Sequence, residues 1–217
     1  MVIPDCYSFL LHSIVQGYDS GRMETRLEIG CPECNSSGRV TMLTMSSEIP
    51  YFGEHTQITL RCESCGWKHT DFIPSEGEKR GYWSLVVNSQ EMMSARVVRS
   101  SSCTIRIPNL ELEVSPGSSS SGFVTNVEGL IIRFEDAIGI ILHGAGANDD
   151  GVDIGAANEI LEGLGRLKLG LAVMEIVFLD PRGRSQIIHE QASSRDLTES
   201  ELGNLDVGSE LPVFEAS

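Results

Sequence analysis

Basic residues are scarce in this chain: 16 lysines and arginines stand against 31 aspartates and glutamates, for a net charge of −15. A surface of that sign repels phosphate backbones, so nucleic-acid binding would need a local basic patch. A protein or a small cationic partner fits better. Long apolar runs are lacking too. Residues 138–142 and 171–179 come nearest, but Gly139 and Glu175 interrupt them, and both fall well short of the ~20 residues that cross a bilayer. No membrane span is expected. The run at 7–15 follows Asp5 rather than lysine or arginine and leads to no small-residue cleavage site. This argues against a secretory signal and for the cytoplasm.

Catalytic groupings are also missing. His12, His55, His69, His143 and His189 occur singly, with no ligand spacing between them. The glycine-rich stretch at 143–151 matches neither a phosphate-binding loop nor a dinucleotide fingerprint. Ser185 lies outside any G-x-S-x-G elbow. Asp149, Asp150 and Asp153 offer carboxylates to calcium but read better as an acidic surface loop. No enzyme activity is expected from a chain with no nucleophile beside a base.

Six cysteines are present, and their spacing carries the strongest signal. Cys31-Pro-Glu-Cys34 is followed, after 27 intervening residues, by Cys62-Glu-Ser-Cys65. Two tight C-x-x-C pairs put four soft thiolates on two turns facing one centre, the donor set that selects tetrahedral zinc. With every position filled by protein, such a zinc is structural and not hydrolytic. Gly66 after the second pair and Gly38 after the first supply the backbone freedom these knuckles need. Disulfides, free thiols or a redox pair are the weaker readings, the last because no βαβ pattern surrounds the pairs. Cys6 and Cys103 stand alone, and Cys103 reads as a buried apolar side chain.

With 217 residues, 41% hydrophobic and 22% charged, the chain is long enough for two soluble modules. Residues 1–28 read as a leader, although Met23 would serve equally well as the start of the folded part. Residues 29–74 read as the zinc ribbon, with β-prone runs at 40–45 and 56–60. Within 31–73 only Arg39, Arg61 and Lys68 are basic against five acidic residues, so a basic footprint for nucleic acid is missing. Tyr51, Phe52 and Trp67 either anchor a protein partner or fill the small ribbon core. Beyond a polar link at 74–79, short runs at 84–88, 95–98, 104–107, 111–114, 127–132, 171–179 and 186–189 point to a sandwich, jelly roll or barrel. Ile160, Leu161, Leu164 and Leu167 recur at helical spacing, which predicts an amphipathic helix over 158–168 that depends on docking because of Gly163 and Gly165. After Arg195 no basic residue follows, which suggests a solvated acidic tail over 193–217.

The two cysteine motifs, together with Ile49-Pro-Tyr-Phe52, Cys62-Glu-Ser-Cys65-Gly66-Trp67, Arg99-Ser-Ser-Ser-Cys-Thr-Ile-Arg-Ile-Pro108, Asn126-Val-Glu-Gly-Leu130 and Asp180-Pro-Arg-Gly-Arg-Ser185, resemble the ZPR-type zinc-finger family over roughly 31–189. The resemblance implies a mainly β protein: a four-cysteine ribbon followed by a double-stranded β-helix, jelly-roll-like domain over 75–192 with an inserted helical hairpin. It further implies one structural zinc on Cys31, Cys34, Cys62 and Cys65. Eukaryotic members carry the module in tandem, bind translation elongation factor 1-alpha and assist its folding, and are linked to receptor kinases and nuclear transport. A single module is similar to the archaeal members, with the archaeal elongation factor as the implied client. Asp180 and Arg184, beside Tyr51, Phe52 and Trp67, are the expected partner-facing residues. The sequence departs from the family at Arg184, where asparagine is usual, and at Trp67, where tyrosine is commoner. A nucleic-acid-associated ribbon in transcription or RNA handling is the alternative.

Overall fold

Four antiparallel strands carry the cysteine pairs: β1 (Arg22–Leu27), β2 (Val40–Ile49), β3 (Gly53–Cys62) and β4 (Lys68–Pro74), in that spatial order. They come from a computed structural model that describes residues 22–117, 120–144 and 153–207. β1 pairs with β2 along its whole length, Arg22 opposite Met45 and Leu27 opposite Val40. The ribbon therefore begins near residue 22 and not at 29. The rest of the expected leader, residues 1–21, lies outside the described residues, as do Cys6, His12, Asp149, Asp150 and the tail at 208–217. The ribbon core is small: Leu27, Cys31, Val40, Leu60 and Cys62 are buried, with Ile29, Met42 and Trp67 packed on them.

The second domain is built from β5 (Tyr82–Val87), β6 (Arg96–Arg99), β7 (Thr104–Ile107), β8 (Leu112–Val114), β9 (Phe123–Asn126), β10 (Met174–Leu179), β11 (Gln186–Ile188) and β12 (Ser193–Arg195). They form a five-stranded sheet, β12-β5-β10-β7-β8, and a three-stranded sheet, β11-β6-β9. Every pairing within them is antiparallel. β10 is central, which is why its sequence is almost uniformly apolar, and Met174, Ile176 and Phe178 enter the main core with Leu85, Val87, Ile105, Ile107, Val97 and Ile187.

Two helices, α1 (Val127–Gly144) and α2 (Ile154–Lys168), pack on that core. Residues 127–132 were expected as a strand because Val and Ile favour one. They form the first turns of α1 instead. The Gly129 amide donates to Asn126 Oδ1 at 2.8 Å, an N-cap, and Val127, Leu130, Ile131, Phe134 and Ile138 bury one helical stripe. The helix expected at 158–168 begins earlier, at Ile154, where Asp153 caps it by accepting from the Ala156 amide at 3.0 Å. α1 and α2 are the inserted helical pair that the resemblance implied, in a chain that stays mainly β.

The acidic tail is likewise corrected at its start. β12 adds to the edge of β5, and α3 (Glu199–Asn204) follows with a Thr198/Glu201 capping box. Arg195 lies 3.8 Å from the Tyr82 ring centroid and binds both Glu201 oxygens at 2.7 Å. That guanidinium, with the Thr198 amide, holds the Glu201 carboxyl down at about 2. One cation facing a ring and a carboxylate ties residues 193–204 to the domain.

Glycines in one helix and one turn make opposite demands. A Cβ on Gly165 meets nothing within 4 Å, so Gly165→Ala should raise stability by about 0.5–1 kcal/mol, the ordinary helix-interior cost of glycine. Gly183 has φ +57, and a Cβ there would sit 2.2 Å from the Lys79 carbonyl oxygen. Gly183→Ala should cost more than about 2 kcal/mol. Denaturant midpoints of the two variants should move in opposite directions.

Candidate metal centre and domain junction

Each cysteine pair sits on the same backbone device. The Asn35 amide donates to the Cys31 carbonyl (2.8 Å) and the Gly66 amide to the Cys62 carbonyl (3.0 Å). One residue further on, the Ser36 carbonyl accepts from the Cys31 amide (3.1 Å) and the Trp67 carbonyl from the Cys62 amide (2.8 Å). Closing each turn takes a left-handed residue, Asn35 at φ 59 and Gly66 at φ 79. Asn35 is thus the counterpart of Gly66. Asparagine tolerates that conformation, and Gly38, also left-handed at φ 62, instead bonds back to the Ile29 carbonyl at 3.2 Å.

These turns bring the sulfurs of Cys31, Cys34, Cys62 and Cys65 within 4.8 Å of one another. Across the two knuckles, Cys31 and Cys65 are 3.7 Å apart, as are Cys34 and Cys62. A tetrahedron with Zn–S bonds of about 2.3 Å has sulfur–sulfur edges of roughly 3.8 Å, so the donors fit zinc, and all are too distant for disulfides. The Ser36 hydroxyl, then its backbone amide, hold the Cys34 thiol down at about 6. At Cys65 the Trp67 amide pulls the thiol down, but desolvation and the neighbouring thiols prevail and push it up to about 12. Four sulfurs this close resist joint ionisation unless a cation is shared among them, which is what divalent zinc supplies. His69 is not part of the cluster. It is buried, stacks on Trp67 at 6.0 Å and 14°, and burial lowers its pKa.

The expected partner-facing residues scatter. Tyr51 is 88% exposed at the turn between β2 and β3. Phe52 is not available to a partner: it is 2% exposed and forms, with Phe72 and Val98, a small apolar cluster that joins the ribbon to the jelly roll. Trp67 packs on the ribbon core. Asp180 is fully buried and faces no partner.

Asp180 is the hub of a junction whose members are far apart in sequence. It accepts from the hydroxyls of Ser100 (2.8 Å), Ser102 (2.6 Å) and Ser185 (2.6 Å) and from the amides of Arg182 (3.0 Å) and Arg184 (2.9 Å). Three hydroxyls and two amides satisfy a buried carboxylate, and every serine donates inward, so the group is structural. A second buried carboxylate, Asp71 on β4, accepts from the Ser101 amide at 3.0 Å and from the Arg184 guanidinium at 3.2 Å. Thr70 beside it receives the Gly122 amide on its carbonyl at 2.6 Å and donates its own amide to Ser121 Oγ at 2.9 Å. Arg184 therefore binds the ribbon within the molecule. Arg99 lies buried and holds the Cys103 carbonyl, and burial raises the Cys103 thiol far above its usual range. Cys103 is a core side chain, as expected.

A closed four-sulfur site on a ribbon, locked by buried carboxylates to a jelly roll with a helical pair, defines a structural-zinc protein of two joined domains. Residues 25–77 match the ZPR1 zinc-finger domain and residues 91–204 the ZPR1 jelly-roll domain, the second match reaching through β12 and α3. The chain is 33% identical to a ZPR1-like protein of Methanocaldococcus jannaschii over 86% of its own length and 92% of the relative's. It is 31% identical to bovine zinc finger protein ZPR1 over 84% of its own length, which is 39% of that longer chain. A fission-yeast protein named zinc finger chaperone zpr1 is 32% identical over 49% of this chain and 22% of its own. The chain belongs to the ZPR1 family.

Removing the hub should unlock the junction. Asp180→Ala leaves three buried hydroxyls and two part-buried amides without their acceptor and should cost at least about 3 kcal/mol. Arg184→Asn takes the guanidinium from Asp71, whose side chain is fully buried, and should cost about 3 kcal/mol. Chemical denaturation with zinc content monitored in parallel checks both, and zinc should remain bound in each folded variant.

Proposed function

We propose that this chain is a zinc-dependent client-binding protein of the chaperone kind, and that its client is a translation elongation factor of the 1-alpha class. The observation that carries the reading is membership of the ZPR1 family across both domains, in which the fission-yeast relative bears the name of a chaperone. The structure is compatible with client binding. Leu169, Leu171 and Val173 stay exposed between α2 and β10, with Val86 exposed on the neighbouring strand, and such apolar area on a folded protein suits a partner. The acidic balance suits a basic client. The nucleic-acid reading finds less support, since Arg26 and Arg39 of the ribbon both face Glu63, at 3.6 and 3.9 Å.

The test uses the purified chain and a purified archaeal elongation factor 1-alpha. Denatured factor is diluted with and without the chain, recovery of GTP binding is measured, and direct binding is followed by calorimetry. Saturable binding and several-fold higher recovery are expected. Absence of binding together with unchanged recovery refutes the client assignment, and salt-sensitive binding of an RNA in its place favours the alternative.

A further inference from the structure

The turn between β2 and β3 breaks two local rules at once. Residues 49–52 form a four-residue turn closed by the Phe52 amide on the Ile49 carbonyl at 3.0 Å. Pro50 suits its second position, but Tyr51 occupies the third at φ 67, where a positive angle calls for glycine. One residue along the strands, Glu48 lies directly opposite Glu54, a like-charged cross-strand pair that opposes sheet formation. Both carboxylates are exposed, and among the described residues neither is paired with a lysine or arginine.

The loop after β4 closes against the same tip, the Ser75 amide donating to the Glu54 carbonyl at 2.9 Å, and brings exposed Glu76 and Glu78. Both cations of that loop are engaged within the fold: Lys79 donates to the Phe52 carbonyl and lies 4.3 Å from the Phe52 ring centroid, and Arg80 donates to the Ser194 carbonyl at 3.1 Å. The tip thus presents an exposed aromatic ring bordered by carboxylates, with its lysine committed to the fold. An exposed phenol ring at the turn and exposed carboxylates at the adjoining strand ends suit a segment with guanidinium or ammonium groups, by cation–π contact and by charge-assisted hydrogen bonds.

We infer that the β2–β3 tip is a docking site for a basic segment of a protein partner, whose arginines or lysines lie on Tyr51 and pair with Glu48 and Glu54. This deepens the client-binding reading and rests on it for the supposition that the partner is a protein. Local geometry that costs stability yet exposes a ring is where a binding function accounts for what folding does not.

The full chain is titrated with a fluorescein-labelled arginine–glycine peptide and, separately, with elongation factor 1-alpha. The wild type is compared with Tyr51→Gly and with a Glu48→Gln, Glu54→Gln double variant. Zinc content and denaturation midpoint verify folding. Tyr51→Gly should keep its zinc and an equal or higher midpoint, because glycine accepts the left-handed angle, yet bind the peptide about tenfold more weakly. The double variant should bind more weakly and lose part of the salt dependence. A wild type that ignores the peptide, or variants that bind it equally well, overturn the inference. Peptide binding that fails in the variants while the elongation factor is not bound at all upholds the docking site and rejects the named client. A factor bound equally by all three proteins, with no peptide binding, rejects the tip and leaves the client reading standing.

Discussion

Four sulfurs confined to one small sphere are the constraint on which the rest of the molecule depends. Around its metal site the ribbon buries only five apolar residues, two of which, Cys31 and Cys62, are themselves ligands, while Phe52 and Phe72 are buried against Val98 of the jelly roll. So small a core cannot offset the entropy of ordering about fifty residues. A shared cation relieves the clustered thiolates and supplies roughly 10–16 kcal/mol toward folding. β2, β3 and β4 then gain a fixed register, and with it the positions of Tyr51 at one end and Asp71 along β4.

At its other end the ribbon is locked, not tethered. Asp71 reaches into the segment 100–102 and Arg184, while Phe52 and Phe72 meet Val98 of the jelly roll. Asp180 organises the receiving side. The metal and the junction therefore act in series: zinc shapes the sheet, and the buried carboxylates convert that shape into a rigid relation between domains. Charged groups cost much to bury, and here hydroxyls, amides and one guanidinium compensate them.

The metal site was legible in the sequence because spacing alone encodes it: two C-x-x-C turns and a left-handed Gly66 need no tertiary information. Strands with alternating or continuous apolar patterns were legible for the same reason. α1 was not, because its β-branched residues favour a strand locally and only its packing stripe and the Asn126 cap reveal the helix. β1 and β12 escaped because their side chains are mostly exposed, so pairing with a neighbour, not hydrophobicity, defines them. The sequence places Asp180 at the surface by its chemical type and leaves Phe52 open between partner anchor and core. Burial of Asp180 depends on Ser100 and Ser102, about eighty positions away, and no local signal reports that. The motifs carried the junction nonetheless, since Arg99 to Cys103 and Asp180 to Ser185 are the segments that meet there.

Hydrogen exchange of the purified chain before and after removal of its metal by a strong chelator, with zinc measured by elemental analysis, tests the central claim most directly. One zinc per chain is expected at the outset. After chelation the amides of residues 22–74 should lose protection, while those of β10 and α1 in the jelly-roll core keep theirs. A chain that carries no zinc, or whose β2 and β3 amides stay protected once the metal is gone, would contradict it.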